Sequence, residues 1–451
     1  MTSAERQSTD GAIEHETEEH VTTRTNLRMV ITAGTGFFTD AYDLFIIGVV
    51  TAILAPIWHL SITKVAILNA AALGAAAFGA ILFGMLSDKF GRKKLYGIEV
   101  AILFVGAILC AISPNFICLL LARIIVGLGI GGDYPSSAVV ASEHAGRKNR
   151  GYIVLLVFAM QALGLIVGPF LASILLSTNL HPDIVWRILV GLGAIPAASV
   201  FYLRRKIQET PHYLLNKESP YEVSRVISDL TGLIEESKPT AYKKQSIFDK
   251  KWLKLVIGTA GSWFLLDVAF YGNGVSSTLI IQKLQPATTL LSHTILSALM
   301  FLIFAVPGYF LAAKYVDKIG RKFLQTIGFT VMGICFAVIA LVPAVLDQVH
   351  VFLLIFGVSF FFINFGPNTT TFLIPSEVYP TSIRAKGHGF SAAVGKLGAF
   401  IGVLFLPLVL KATNLHVTIG LMAIVSFAGI ATTMILPEMK QACLSETEEQ
   451  H

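Results

Sequence analysis

Apolar residues run along this chain in blocks too long for the core of a water-soluble domain, and short charged clusters separate the blocks. A block of about 20 apolar residues matches the thickness of a bilayer's hydrocarbon core. Roughly twelve can be placed, at residues 29–55, 65–87, 95–113, 115–141, 151–177, 185–205, 253–282, 291–316, 321–344, 348–376, 386–410 and 415–437. The backbone must satisfy its own hydrogen bonds in lipid, so each block is expected to be a helix. The strict alternation of a membrane β-barrel is absent. The pattern therefore predicts an all-α membrane protein. Its parts are six-helix bundles at 29–205 and 251–438, a charged linker at 206–250, and polar tails at 1–28 and 439–451.

With 54% hydrophobic and only 14% charged residues, no soluble fold could hide the apolar surface. The net charge of +6 would suit a nucleic-acid binder, but its distribution argues otherwise. Bases crowd alternate loops: Lys89, Arg92, Lys93 and Lys94; Arg147, Lys148 and Arg150; Arg204, Arg205 and Lys206; Lys314, Lys318, Arg321 and Lys322; Arg384 and Lys386. The intervening loops hold little beyond Lys64, Lys283 and Lys411. This asymmetry puts both tails and the linker in the cytoplasm. The lipid bilayer, not nucleic acid, is the expected partner. The first tail is acid-rich (Glu14, Glu16, Glu18, Glu19) and lacks a signal-peptide core, so both tails are expected to be disordered. Cys110, Cys118, Cys335 and Cys443 have neither metal nor disulfide spacing, and no cofactor or metal is expected. Without a catalytic constellation or a GxxxxGK[ST] loop, the chain reads as a carrier, not an enzyme or a pump.

The two halves repeat each other. Asp88-Lys89-Phe90-Gly91-Arg92-Lys93 recurs as Asp317-Lys318-Ile319-Gly320-Arg321-Lys322, Glu143 and Arg150 are answered by Glu377 and Arg384, and Glu209 by Glu438. Each motif falls in a short turn where a glycine can adopt a positive φ and acid and base can pair. Two readings stand: a latch that closes the cytoplasmic face, or topology and helix capping alone. These paired loops resemble those of the major facilitator superfamily over residues 29 to 440. The resemblance implies two six-helix bundles rocking around a central site near the membrane midplane.

Ionisable residues inside a span cost about 2.5–3.5 kcal/mol each on insertion scales, so each is a functional hypothesis. Asp40 and Asp43 lie in the first span, Arg123 and Asp133 in the fourth, Asp267 in the seventh and Lys396 in the eleventh. Glu99 lies near a cytoplasmic helix end, where snorkelling or capping would serve. Trp263, Asp267 and Tyr271 share one helical face, suited to a polar solute or to packing around a paired acid. Gly127, Gly129, Gly131 and Gly132 allow close packing of the fourth span, and Pro135 is expected to weaken it beside Asp133. Asn364-Phe365-Gly366-Pro367-Asn368 combines helix-breaking chemistry with two amides, and Gln161 adds a third, each equally able to be interhelical glue. Gly395 leaves room for the Lys396 stem.

GGDYPSSAVVASE, the Trp263–Asp267–Tyr271 face and NFGPNTTTFLIPSEVYPTSIRAKGHG together resemble the phosphate:proton symporters of that superfamily. That resemblance implies that Tyr134, Gln161, Trp263, Asp267, Tyr271 and Asn368 surround inorganic phosphate, with Lys396 adding positive charge. It assigns Asp40, Asp43, Asp133 and Asp267 to proton movement, with Arg123 as a partner on the fourth span. Asp88, Arg92, Glu143, Arg150, Asp317, Arg321, Glu377 and Arg384 would gate. A monomer of the plasma membrane or a bacterial inner membrane is expected. A carrier of an organic phosphate such as a glycerophosphodiester, a sugar or polyol carrier, and a non-transporting phosphate sensor remain as alternatives.

Overall fold

The computed structural model describes residues 23–90, 95–144, 149–204, 246–380 and 383–440, and they form helices without strands. The first half contributes Thr23–Ile57, Ile62–Phe90, Ile98–Ala111, Phe116–His144, Arg150–Leu176 and a broken sixth span, Pro182–Gly191 with Ala194–Arg204. In the second half the seventh span is Leu253–Val275, trailed by the short helix Ser277–Leu284. The eighth runs from Leu290 to Ile319, the ninth is Arg321–Leu341, and the tenth is split into Val349–Phe365 and Pro367–Val378. Arg384–Ala412 and Leu415–Met434 complete the set. Among the described residues, eleven spans are long and apolar enough to cross a membrane. The third is not the full-length helix expected over 95–113: its 14 residues reach only about 21 Å. Helical order lapses before it at Tyr96–Gly97. The first helix begins at Thr23, inside the stretch expected to be tail. The first tail up to residue 22, residues 206–245 of the linker, Arg92, and the side chains of Asp88 and Glu143 lie outside the described residues, as does the second tail beyond residue 440.

Where spans break, proline chemistry explains it. Pro196 has no N–H for the Leu192 carbonyl, and the sixth span opens into a turn between Gly191 and Ala194. The eighth span widens into a π turn at Phe301–Ala305, just ahead of Pro307. The tenth parts at Gly366, with Pro367 opening its second segment. The fourth span, expected to weaken at Pro135, runs through it as one helix. There Gly127 and Gly131 sit on the Ala72 and Ala76 carbonyls of the second span, a backbone contact that a side chain would forbid and that packs this helix closely just before its missing N–H.

The repeat is visible in packing. Gly164 of the fifth span rests on the Phe38 carbonyl of the first, and Gly398 and Gly402 of the eleventh rest on the Phe264 and Val268 carbonyls of the seventh. Between the halves, the second span packs along the eleventh and the fifth along the eighth. The first span meets the seventh where Gly48 abuts the Val275 carbonyl and Gly274 abuts Phe45. The halves therefore touch on both sides of the centre.

One loop motif is fully described. Gly320 takes φ 105°, the conformation that favours glycine in this turn. Arg321 Nε and Nη2 donate to the two Glu377 carboxylate oxygens at 2.9 and 2.8 Å. Asp317 pairs with Arg321 at 2.8 Å and accepts from Tyr152 N, at the start of the fifth span, at 2.8 Å. Glu438 accepts from the backbone N–H groups of Arg321 and Lys322 at 2.9 and 3.0 Å. The grouping differs from the spacing-based one: Glu377 serves Arg321, whereas Arg384 Nε donates to the Tyr379 carbonyl. Arg150 is buried at the start of the fifth span. The Asp317–Tyr152 bond crosses from one half to the other, so Asp317 ties the bundles at this face.

Candidate functional site

Nine side chains from both halves converge at the centre, none more than 3% exposed. The fourth and fifth spans bring Tyr134 and Gln161. The seventh brings Trp263, Asp267 and Tyr271, the eighth Tyr309, the tenth Asn364 and Asn368, and the eleventh Lys396. Lys396 Nζ donates to Asp267 Oδ2 at 3.3 Å and to the Tyr271 phenol at 3.0 Å. It also lies 4.0 and 4.4 Å from the ring centroids of Tyr134 and Tyr271. A buried ammonium held by one carboxylate and two aromatic faces is well compensated yet has one donor to spare. The two phenols meet across the halves at 3.1 Å, and Gln161 Nε2 donates to them at 3.2 and 3.4 Å. Tyr309 donates to Gln161 Oε1 at 2.7 Å and accepts from Asn368 Nδ2 at 2.6 Å.

Gly395, expected to make room for the lysine stem, instead accommodates Trp263: a Cβ there would collide with the indole. The indole in turn meets His388 edge-on at 5.5 Å. Aromatic layers bound the centre on both sides. One turn toward the Asp317 face, Phe37 packs edge-on against Tyr134, and Phe158 stacks on Phe372 at 4.5 Å. One turn the other way, Phe45 meets Tyr271 at 5.5 Å and Phe301 at 5.9 Å. Each layer takes rings from both halves, so moving the halves apart on one side opens one layer and leaves the other.

The remaining acids form a second centre within the first half. Asp133 Oδ1 pairs with Arg204 Nη2 at 2.6 Å and accepts from the Ser137 hydroxyl, while Glu99 pairs with Arg204 Nη1 at 3.3 Å. Arg204 lies over the Tyr96 ring at 3.9 Å. Glu99 is fully buried. Asp133 is partnered by Arg204 of the sixth span, because Arg123, ten residues earlier on the same helix, lies about 15 Å away along the axis. Arg123 instead donates to the Asp43 backbone carbonyl at 3.1 Å. Asp40, Glu99 and Asp133 line one small cavity with Gly36 and Thr39. Asp43 points elsewhere, toward Gly193 in the sixth-span turn, where any side chain would strike its carboxylate.

Gly36 is the tightest point of this second centre, because a Cβ there would fall on Arg204 Nη2 and Asp133 Oδ2. Gly36→Ala is expected to push the pair apart, destabilising the protein by about 1–3 kcal/mol. A thermal melt of purified protein in detergent checks this, and an unchanged midpoint would mean that the pair yields freely.

The sequence singles out neither Arg204 nor Tyr309 for these centres. Arg204 gives no signal beyond the run of bases in which it sits. Tyr309 gives none, because the π turn before Pro307 changes the face on which it emerges.

Comparison with known proteins places the chain. Residues 28–451 match the family model described as "Sugar (and other) transporter". Among curated proteins, the probable inorganic phosphate transporter 1-3 of Arabidopsis thaliana is 32% identical over 92% of this chain and 94% of its own length. The low affinity inorganic phosphate transporter 1 of Petunia hybrida is 34% identical over 94% and 92%. The inorganic phosphate transporter PHO84 of Saccharomyces cerevisiae is 34% identical over 94% and 84%. Among solved structures, the major facilitator superfamily proton:xylose symporter XylE, bound to 6-bromo-6-deoxy-D-glucose, superposes with a TM-score of 0.82. It is 18% identical and covers 95% of this chain and 99% of its own. The match along nearly the whole sequence makes this chain a member of the sugar-and-other transporter family, and its fold is that of the major facilitator structures it superposes on.

Proposed function

We propose that this protein imports inorganic phosphate together with protons by alternating access. The observation that carries the reading is the Asp267–Lys396 pair inside a cage of phenols and amides. Empty, the pair is neutral. An entering monovalent phosphate gives Lys396 a second anion to serve, and the cage would then hold one uncompensated negative charge. In a dry interior such a charge costs several kcal/mol. A proton on Asp267 removes that cost, so anion and proton enter together and leave together. Coupling then follows from charge neutrality, and each ligand favours the other by the same factor.

The cage also suits phosphate over its rivals. Monobasic phosphate carries hydroxyls that can donate to Asp267, whereas sulfate is divalent and has none. The names of the relatives, inorganic phosphate transporters of plants and yeast, support the same substrate. Rings pack against both sides of the cage, which favours a small anion over a glycerol-bearing phosphate. The Phe37–Phe158–Phe372 and Phe45–Phe301 layers act as inner and outer gates, and Asp317 at the fifth-span N-terminus holds the inner side shut. Asp40 lines one cavity with Glu99 and Asp133, a position from which it can pass protons to and from that second centre. The basic loops support a topology with both termini in the cytoplasm, in a plasma membrane or bacterial inner membrane. One chain supplies the whole cage, so a monomer suffices.

Proteoliposomes with an imposed inward proton gradient test this. Labelled phosphate is expected to accumulate, to be competed poorly by sulfate, glucose or glycerol phosphate, and to drain when a protonophore is added. Undiminished accumulation on a sodium gradient alone would sink the proton assignment. Preferential uptake of glycerol phosphate would replace the substrate.

A further inference from the structure

We infer that Tyr309 and Asn364 are positioning residues that fix the hydrogen-bond polarity of the cage, and through it the choice between anions that carry hydroxyls and anions that only accept. The inference rests on the phosphate reading above and concerns two residues outside the set that the family resemblance assigned.

The polarity can be read from one end. Asn364 lies 2.7 Å from the Phe360 carbonyl, and a carbonyl only accepts, so Asn364 must present its NH2 there. Its Oδ1 then faces Asn368 at 2.7 Å, which obliges Asn368 to turn its own NH2 inward. The same Asn368 NH2 lies 2.6 Å from the Tyr309 hydroxyl. With its oxygen accepting, Tyr309 directs its single proton to Gln161 Oε1 at 2.7 Å. Gln161 is left to present NH2 to Tyr134 and Tyr271. Every link is dictated by the one before, and the first is anchored on a backbone carbonyl that cannot reverse.

The consequence is chemical. Gln161 is set as a donor to Tyr134 and Tyr271, and a phenol whose oxygen already accepts can turn its proton to an anion's oxygens. Both Asn368 N–H bonds are spent within the chain of bonds, so Asn368 can offer a ligand only its Oδ1, an acceptor. The carbonyl oxygen that Asp267 keeps when it carries its proton is a second acceptor in a site for an anion. Phosphate and arsenate monoanions have hydroxyls to meet them, and sulfate does not. An acceptor facing an acceptor-only anion is left unpaired in a buried site, a strong ground for rejection.

Tyr309→Phe removes the hydroxyl and keeps the ring. Asn368 regains a free N–H, and Gln161 can turn either way. Phosphate and arsenate KM values in proteoliposomes are expected to rise together by about tenfold, while sulfate becomes a better competitor. Asn364→Leu, which cuts the chain of bonds before it reaches Gln161, should shift the three anions in the same directions. This opposite movement is the diagnostic, because a merely structural defect would weaken all three alike. Parent uptake of phosphate with both variants leaving the sulfate-to-phosphate ratio unchanged would overturn the polarity assignment alone. Should Tyr309→Phe fail to fold, the Asn364→Leu ratio decides. Absence of phosphate uptake by the parent chain would overturn the phosphate reading and the inference with it.

Discussion

Asp267→Asn is expected to abolish proton-driven accumulation of phosphate while leaving phosphate exchange across the membrane intact. Asparagine keeps the size of the carboxylate and can still contact Lys396, but it cannot titrate. The empty cage would then hold the lone charge of Lys396, and a bound monovalent phosphate would neutralise it without any proton. Binding therefore survives and loses its dependence on pH. Counterflow of labelled against unlabelled phosphate should persist under conditions where uptake driven by a pH gradient is lost. Asp267→Ala should lose both, since Lys396 is 3.3 Å from the carboxylate it would be deprived of and is buried. Removing one member of such a pair destabilises by about 3–5 kcal/mol, visible as a drop in melting temperature. If Asp267→Asn accumulates phosphate as the parent does, the coupling acid lies elsewhere, and the Asp40–Glu99–Asp133 centre is the next place to look.

Much of this architecture is legible in the chain because membranes restrict what a sequence can do. Apolar block length and loop charge are one-dimensional signals with three-dimensional consequences, and the doubled loop motif by itself implies two bundles. Buried charge is legible for the same reason: Asp267 and Lys396 stand out because lipid tolerates so few ionisable residues. Which charges meet is not legible. Arg204 sits in a run with Arg205 and Lys206, and a run of bases at a helix end looks like topology. Nothing in the run says that its first member turns inward to Asp133 and Glu99. Gly36 gives no sign that it leaves room for that pair. Pro135 in the fourth span is a related case, since proline breaks helices by its own chemistry, yet the helix runs through it just after glycines resting on a neighbouring backbone. Local propensity is visible in the chain. The neighbour that overrides it is not.

Lys396→Ala should weaken phosphate far more than any neutral competitor, by about two orders of magnitude or more if the anion is left without a countercharge in the dry cage. Lys396 has two roles in the structure that this single change cannot separate. It neutralises Asp267, and it has one ammonium donor left to offer an anion. Neutralising both members does separate them. In Asp267→Asn with Lys396→Gln the empty cage is again uncharged, so a purely structural pair should be rescued and the melting temperature should return toward that of the parent. Phosphate uptake should stay lost, because an entering anion would still bring one negative charge with nothing to meet it. A thermal melt beside a phosphate uptake assay reads the two roles independently in one sample. Recovered stability with no transport is the expected pair of results. Recovered transport would strip Lys396 of its part in binding the anion and leave it as the structural partner of Asp267.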